Sequence, residues 1–487
     1  MITFVISLCI LVVGYLVYGR LVEHIFGPDP ARQTPCFTNR DGVDFIPMPT
    51  WKVFLIQFLN IAGTGPIFGA IQGILFGPAA FIWIVLGCIF GGAVHDYLSG
   101  MASIRQNGAS LPEIIGKELG STARIVMLVF ALILMVLVGA VFVTTPAGLL
   151  ARMSGEGGEF IGSGTFWIIV ILLYYVLATL MPIDKLIGRI YPIFGLALLI
   201  MAVGMLVGIL FIGTGSLPEI TDAFTNHHPS SPIPLFPGLF ITIACGAVSG
   251  FHATQSPMMA RCMQNEQLGR PVFYGAMITE GLVALIWAAA AIKFADSVSE
   301  YEGTPYQKLW ALMTDGGREN PNPAIIVDTI CNSWLGKAGA VLAILGVVAA
   351  PITTGDTAFR SARLIAADFI RFKQDKVVKR LILCLPIFAV AVFLMFIDFS
   401  VLWRYFGWFN QTLSVFTLWA VTVYLARKRK LFLVSLVPAL FMTYVCSSYI
   451  CIASEGLQLP AIVGYIIAAV IDVALLVWFI AWQRRHA

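Results

Sequence analysis

The chain has 487 residues, of which 59% are hydrophobic and only 11% are charged, and its mean hydropathy is +0.89. This composition excludes a soluble globular protein and indicates a membrane protein with many spans. The net charge of +4 comes without a basic arm or a lysine-rich face, so we expect a lipid bilayer around the chain and no nucleic-acid partner. The nine cysteines form no CxxC motif and no Cys/His pair at zinc spacing, which indicates packing residues.

Apolar segments long enough to cross a bilayer recur along the whole chain. A hydrocarbon core of ~30 Å needs about 20 apolar residues in a helix. Such segments lie near residues 2–22, 51–76, 79–103, 123–150, 165–182, 187–213, 236–257, 271–294, 337–356, 380–397, 400–426, 431–452 and 460–483. They predict an all-α polytopic membrane protein with about 13 transmembrane helices. The first segment has no basic region before it and no small-residue cleavage site after it, so we interpret it as a retained anchor.

The distribution of Lys and Arg supports this set of spans. Short loops that carry these residues stay on the cytoplasmic side of the membrane. If the N-terminus is outside, 24 of the 30 basic residues fall inside, 4 fall outside, and only Lys293 and Arg404 lie within spans. We therefore predict an external N-terminus and a cytoplasmic C-terminus.

Two of the predicted spans contain helix-breaking residues at membrane depth. The first is NIAGTGPIFGAIQG at residues 60–73, and the second is LFITIACGAVSGFHATQSP at residues 239–257, which Pro257 is expected to end. Proline removes a backbone donor, and an interior glycine disfavours helix by about 1 kcal/mol relative to alanine. In hydrocarbon, unwound backbone is tolerated only where it is packed in protein or lines a cavity. Paired breaks in two halves of a chain are typical of a transporter binding site.

The order of spans indicates an inverted repeat. Five spans run from the first broken helix to Gly213 and five more from the second to Ala426, and an odd number places the two halves in opposite orientations. We divide the chain into a leader helix and loop at 1–50, repeat 1 at 51–213, an external linker at 214–235, repeat 2 at 236–426 and two trailing helices at 427–487. The external loop 296–336 contains two helix-like pieces, PYQKLWALM and NPAIIVDTICNSWLG, which form either a lid over the outer vestibule or a loop without a gating role.

Six motifs occur in order along the chain: IAGTGPIFG at 61–69, GGAVHDY at 91–97, RQNGASLPE at 105–113, FITIACGAVSGFHATQSP at 240–257, PITTGDTAFRSAR at 351–363 and FGWFNQ at 406–411. On these residues the chain resembles the carbon starvation protein A family of bacterial and archaeal membrane transporters. The resemblance implies a cytoplasmic-membrane location and uptake of peptides, or of pyruvate in some relatives, driven by an ion gradient. It also implies the leucine-transporter-like core of the amino-acid/polyamine/organocation superfamily, a five-plus-five inverted repeat whose first and sixth helices are broken.

The backbone exposed at the two breaks is the predicted substrate site. At the first break, the N–H groups and positive dipole end of the following half-helix favour a carboxylate, and the carbonyls of the preceding one favour a cation. The candidate substrate residues are Asn60, Gly63, Thr64, Gly65, Gly246, Ser249, Gly250 and His252. The alternative is that these glycines only permit close helix packing. If the site binds substrate, leucine at Gly65 or Gly250 is expected to abolish uptake and to leave folding largely intact.

Hard oxygen donors at the end of the predicted eighth core helix form a candidate ion site. In sodium-coupled members of the superfamily that the chain resembles, sodium lies between the first core helix and hydroxyls of the eighth. The corresponding residues here are Ala62, Thr353, Thr354 and Thr357. Asp356 is a proton carrier on a second interpretation. On a structural one, Asp356 and the threonines cap a helix end and pair with Arg360 or Arg363.

Few other ionisable residues lie inside the predicted spans, where each should face a partner. His95 and Asp96 are adjacent, about 100° apart on a helix, so they are not expected to line one path. Asp96 is the first candidate for a proton or pairing role. His252 suits proton coupling, a carboxylate contact or a structural role. Glu280 is expected to pair with His252 or another helix, or to relay protons.

Asn410 and Gln411 are expected to make hydrogen bonds between helices. The dispersed histidines and the absence of HExxH or GxSxG motifs disfavour an enzyme. We predict a secondary active transporter that imports a small organic nutrient, a peptide or a pyruvate-like carboxylate, by alternating access coupled to a proton or sodium. The alternative is a passive channel or a nutrient-sensing membrane protein. No cofactor besides the coupling ion is expected, and the oligomeric state is left open.

Overall fold

The computed structural model describes residues 1–42, 44–154, 162–180, 183–229, 234–314, 321–370, 372, 377–397 and 399–486. In this part of the chain the regular structure is helical, with short 3-10 and π-helical turns and no β-strand. The α-helices are α1 (Ile2–Leu16), α2 (Tyr18–Phe26), α3 (Pro35–Thr38), α4 (Thr50–Ile61), α5 (Gly65–Gly73), α6 (Ala79–Leu86), α7 (Ala93–Arg105), α8 (Leu111–Leu119), α9 (Ser121–Met153), α10 (Gly164–Leu180), α11 (Ile183–Val207), α12 (Leu235–Thr242), α13 (His252–Ala260), α14 (Gly275–Ser297), α15 (Pro305–Met313), α16 (Pro323–Ala343), α17 (Ala349–Ile370), α18 (Val377–Leu394), α19 (Phe399–Arg427), α20 (Leu433–Ile452) and α21 (Ala461–His486).

The predicted all-α membrane class is confirmed. Helices lie at all thirteen predicted segments, as hydrocarbon requires of a chain that must pair its own backbone donors. Within the described residues, seven helices are long and apolar enough to cross a membrane, or nine if each of two bent helix pairs is one span. The number of crossings and the five-plus-five repeat stay predictions.

Both predicted helix breaks are present. α4 and α5 meet at a bend of 46° across residues 62–64, and Gly65 and Pro66 begin the second half-helix. α12 and α13 are separated by residues 243–251, which are not helical. The expectation that Pro257 ends this segment is wrong, because Pro257 lies inside α13.

The predicted eighth core helix extends further along the sequence than expected. After the kink at Gly336, residues 337–343 of α16, the π-helical turn at 344–348 and α17 follow one another without a break. The helix expected at residues 337–356 is thus present and runs on to Ile370, so the segment 353–357 lies inside it and not at its end. The prediction stopped early because Arg360 and Arg363 interrupt the apolar run. Both side chains are nevertheless buried, at 4% and 5% exposure, so the helix continues into the protein and not into solvent.

The external loop predicted at 296–336 contains the expected helical pieces. α15 matches PYQKLWALM and begins with a capping box. The second piece continues beyond the predicted loop as α16, with a kink at Gly336, where φ is +56°. His228 of the linker 214–235 lies between this loop and the first broken helix. Its ring centroid is 4.7 Å from that of Phe76, at the end of the broken helix, and 5.4 Å from that of Trp310 in α15. The loop therefore packs against the end of the first broken helix.

A buried carboxylate, Glu266, ties loops together at the predicted cytoplasmic side. Its two oxygens accept hydrogen bonds from Arg105 at the end of α7, each 2.7 Å long, and one of them also accepts the N–H of Asp29 at 2.8 Å. Nε of Arg32 lies 3.5 Å away. Because Glu266 has no exposed surface, these contacts must compensate for its loss of hydration.

Glu266→Ala is expected to lower the free energy of unfolding by about 1–3 kcal/mol, because it leaves the partly buried guanidinium of Arg105 and the N–H of Asp29 without their acceptor. Thermal unfolding of the purified protein in detergent should show this as a lower transition temperature. The matched control is Glu302→Ala, at an exposed acid of the external loop, which should change stability by less than about 0.5 kcal/mol. Equal shifts in the two variants would contradict the role assigned to Glu266.

Candidate functional site

The first break combines free backbone with unpaired polar side chains. Ala62 directly follows α4 and Thr64 directly precedes α5, and both are fully buried. The amide of Asn60 and the hydroxyl of Thr64 are also buried, and neither has a hydrogen-bond partner within the described residues. An unpaired buried polar group costs roughly 1–3 kcal/mol. A polar ligand, an ion or water that pairs with these groups recovers that cost.

The second break is held in place by Asn410 of α19. Its Oδ1 accepts hydrogen bonds from the Ser249 hydroxyl at 3.1 Å and from the Phe251 N–H at 2.7 Å. Its backbone carbonyl accepts the N–H of Gly250 at 3.1 Å. The expected interhelix role of Asn410 is confirmed, as is that of Gln411, which donates to a carbonyl of α12 at 3.0 Å.

The two breaks pack directly against each other. A Cβ placed on Gly65 would lie 2.5 Å from Sγ of Cys245, and one on Gly69 would lie 3.1 Å from the carbonyl oxygen of Thr242. Gly246 has φ +92°, a conformation that favours glycine. The glycines at 65 and 69 therefore serve close packing of the half-helices, and the unpaired groups of the first break carry the case for binding.

Four titratable side chains meet beside the second break, here termed the acid–histidine cluster: His95, Asp96, His252 and Glu280. Oδ1 of Asp96 lies 2.8 Å from Nδ1 of His95, and Oδ2 lies 3.0 Å from Nδ1 of His252. Nε2 of His252 lies 3.4 Å from Oε2 of Glu280. All four are fully buried. The expected pairing of Glu280 with His252 is confirmed. The side chains of His95 and Asp96 meet, because the imidazole reaches its neighbour's carboxylate directly, and the expectation that the two do not line one path stays a prediction.

The cluster joins three helices, since Asp96 belongs to α7, His252 to α13 and Glu280 to α14. Neither oxygen of Glu280 makes a hydrogen bond within the described part of the chain. His252 is a charged partner for Glu280 only when the imidazole is protonated. An ionised Glu280 beside a neutral imidazole is costly in such a site, and a proton or another cation between the two offsets the cost. Cys245 also lies there, and its sulfur and one ligand atom each of His252 and Glu280 lie within 4.8 Å of one another. The geometry therefore accommodates a bound cation.

The candidate sodium residues are brought together only in part. The hydroxyl of Thr354 lies 3.4 Å from the carbonyl oxygen of Leu59, so it reaches the first break, where Ala62 lies. All three threonine hydroxyls also lie within hydrogen-bond distance of a carbonyl of their own helix, at 2.6 Å for Thr353, 3.0 Å for Thr354 and 2.9 Å for Thr357, so only Thr354 adds a contact with the first broken helix. Sodium binding stays a prediction in which Thr354 is the best placed hydroxyl.

Asp356 lies on α17, where its Oδ2 accepts a hydrogen bond from the hydroxyl of Tyr191 at 3.2 Å. Its Oδ1 is buried and has no hydrogen-bond partner within the described residues. The alternative that Asp356 caps a helix end is wrong, because α17 continues to Ile370. A role for Asp356 in ion coupling stays a prediction. Sequence reasoning missed Tyr191 and Cys245, since a tyrosine or cysteine in an apolar span carries no distinguishing signal.

The family model described as carbon starvation protein CstA matches residues 1–158 and 149–302, more than half of the chain. The chain belongs to the CstA family. Both breaks and the acid–histidine cluster lie inside the matched residues, whereas the segment 353–357 lies outside them. The family resemblance inferred from the six motifs is confirmed.

Curated relatives include membrane transporters of two descriptions. An uncharacterised membrane protein of Haemophilus influenzae is 45% identical over 341 residues, 61% of this chain and 92% of that protein. The peptide transporter CstA of Escherichia coli is 29% identical over 344 residues, 58% of this chain and 49% of that protein. The pyruvate/proton symporter BtsT of Escherichia coli is 27% identical over 405 residues, 71% of this chain and 56% of that protein. The chain spans about half the length of these two transporters.

Solved structures with a similar fold are also transporters. A mutant of the Eremococcus coleocola manganese transporter has a TM-score of 0.58 at 12% identity, covering 92% of this chain and 99% of that one. Mhp1, a nucleobase-cation-symport-1 family transporter in a closed conformation with bromovinylhydantoin bound, has a TM-score of 0.55 at 13% identity, covering 92% and 95%. At these identities the likeness shows the fold alone.

Proposed function

We propose that this CstA-family chain is a secondary active transporter of the bacterial cytoplasmic membrane, which imports a small organic carboxylate together with a proton during carbon starvation. The substrate is a pyruvate-like acid or a peptide. The observation that carries the proposal is the position of the acid–histidine cluster, because His252 is the first residue of α13 and directly follows the second break. A buried histidine between two carboxylates is a site where one proton changes the charge beside a broken helix.

The substrate carboxylate is proposed to bind at the first break. The start of α5 presents free N–H groups, and the unpaired Asn60 amide and Thr64 hydroxyl add donors. At the second break, Ser249, Gly250 and His252 already have partners within the protein. In this proposal Ser249 and Gly250 shape the substrate site, and His252 links it to the proton held by the acid–histidine cluster.

Proton coupling follows from the pairs within the acid–histidine cluster. When His252 carries a proton on both nitrogens, Asp96 and Glu280 face it from either side and hold α13 to α7 and α14. Release of the proton leaves two carboxylates around a neutral ring, which weakens these ties and favours opening of the break. One charge crossing 100 mV contributes about 2.3 kcal/mol, enough for roughly fortyfold accumulation of a neutral substrate. For a monocarboxylate, the negative charge of the substrate and the positive charge of the proton cancel, so the pH gradient alone drives uptake.

Sodium coupling is the second candidate, and the contact of Thr354 with the carbonyl of Leu59 favours it. A hydroxyl beside free carbonyls at a helix break supplies oxygen ligands for a monovalent cation. In this version the acid–histidine cluster is a structural tie between helices. The two candidates predict different driving ions.

Uptake by the purified protein in liposomes tests the proposal. Labelled pyruvate and a labelled dipeptide are offered separately, with pH and sodium gradients imposed one at a time. We expect saturable carboxylate uptake that requires an inward proton gradient and ignores sodium. Sodium-driven uptake without a pH gradient would assign coupling to Thr354, and flux that neither saturates nor shows counterflow would indicate a channel. Protein-free liposomes are the control.

A further inference from the structure

A cavity of about 480 Å³ opens between α12, α19 and α20, at the predicted external side. We name it the outer cavity. Its lining includes Thr242, Trp403, Arg404, Tyr449, Glu455 and Gln458. None of its lining residues belongs to the acid–histidine cluster, and its volume lies in the range of small-molecule sites.

One cation and one anion face each other in the outer cavity. Nε of Arg404 lies 3.2 Å from Oε1 of Glu455, but it meets no acceptor at hydrogen-bond geometry within the described residues. The Glu455 carboxylate already accepts hydrogen bonds from the hydroxyls of Tyr449 and Ser454. The Glu455 side chain is 6% exposed, while that of Arg404 is 37% exposed. The carboxylate is therefore held by hydroxyls, and the guanidinium keeps donors for a second oxyanion.

Two lining residues connect the outer cavity to both broken helices. Thr242 is the last residue of α12, and its carbonyl oxygen lies 3.1 Å from a Cβ placed on Gly69 of α5. The ring centroid of Trp403 lies 6.2 Å from that of Phe68, also on α5. Residues that line the outer cavity thus contact the half-helices on either side of the two breaks.

We propose that the outer cavity is a second binding site, which takes a small carboxylate from the external side. Arg404 binds its two oxygens through the planar fork of the guanidinium, and Trp403 and Tyr449 pack against its apolar body. A pyruvate-like acid and the terminal carboxylate of a peptide share this chemistry. Delivery of this carboxylate to the first break rests on the proposed function, whereas binding in the outer cavity does not.

Equilibrium binding to the purified full chain in detergent, without any gradient, tests the site. Labelled pyruvate and labelled dialanine are the two probes. Arg404→Gln is expected to lower the affinity of the outer cavity about tenfold or more, because a charge-assisted bidentate contact is lost. Glu455→Gln is expected to raise the affinity, since it removes the competing carboxylate. Arg404→Lys should restore binding in part, because it keeps the charge and loses the fork.

The opposite changes in affinity expected for Arg404→Gln and Glu455→Gln distinguish a binding site from a structural ion pair. If Arg404 and Glu455 only stabilise the fold, two results are expected. Either both variants bind the probes as the parent chain does, or both lose binding and stability together. Each of these results overturns the proposal. The protein could bind a probe through Arg404 and yet show no uptake in liposomes. This result would support the binding site in the outer cavity and reject the proposed function. In active liposomes, Arg404→Gln should raise KM and leave kcat unchanged. An unchanged KM with unchanged binding overturns the outer cavity alone.

Discussion

Glu280→Gln is expected to abolish accumulation against a gradient while substrate exchange across the membrane continues. The amide keeps the size of the side chain but cannot release a proton, so the pair with His252 no longer couples proton movement to substrate movement. With an inward gradient of one pH unit, a proton-coupled carboxylate accumulates about tenfold, and the variant should reach a ratio near one. Labelled substrate in liposomes measures both properties, accumulation under the gradient and counterflow without it.

Asp472→Asn is the matched control for this change. Asp472 is also an intramembrane acid, but it lies on α21, outside the predicted repeats. The control should accumulate substrate as the parent chain does. Full accumulation by Glu280→Gln would remove the acid–histidine cluster from the coupling mechanism and leave the sodium candidate.

Gly250→Ala is expected to destabilise the protein and to abolish uptake. A Cβ at this position would lie 2.4 Å from the carbonyl oxygen of Asn410 and 2.4 Å from the backbone N of Ser414. Both atoms belong to the backbone of α19, so no side chain can turn away to make room. Overpacking of this kind costs typically about 1–3 kcal/mol. The shift of α19 also disturbs the hydrogen bonds that Asn410 makes to the second break.

Gly148→Ala is the control for Gly250→Ala, because a Cβ at Gly148 in α9 meets no atom within 4 Å. This change should preserve uptake and raise stability by roughly 0.5–1 kcal/mol through helix propensity. Thermal unfolding and liposome uptake measure both variants. The sequence alone suggested that leucine at Gly250 leaves folding largely intact. The structure contradicts this expectation, because even one added carbon meets the backbone of α19. Normal uptake by Gly250→Ala would show that the second break does not depend on this close approach.

Local chemistry made the two helix breaks predictable. Gly63, Gly65 and Pro66 disfavour helix by themselves, so the first break needed no knowledge of the rest of the fold. The partners within the acid–histidine cluster are a different matter. Asp96 and His252 are 156 residues apart, and no pattern along the chain encodes their distance of 3.0 Å.

The search for apolar segments also ended a helix too early where its polar residues are buried. α17 continues through Arg360 and Arg363, which a search for apolar segments treats as the end of a span. For Asn410 the sequence predicted a hydrogen bond between helices but not its partners. The contact of Cys245 with Gly65 followed only from the structure, because packing between two unwound segments has no period.

The three hydrogen bonds between Asn410 and the second break have a mechanical consequence. They fasten the start of α13 to α19, whereas the first break meets the second through the van der Waals contact of Gly65 with Cys245. Hydrogen bonds fix direction and distance, but apolar surfaces can slide past each other at little cost. In the proposed alternating access, α13 and α19 are therefore expected to move together, and sliding between the two breaks is expected at the contact of Gly65 with Cys245.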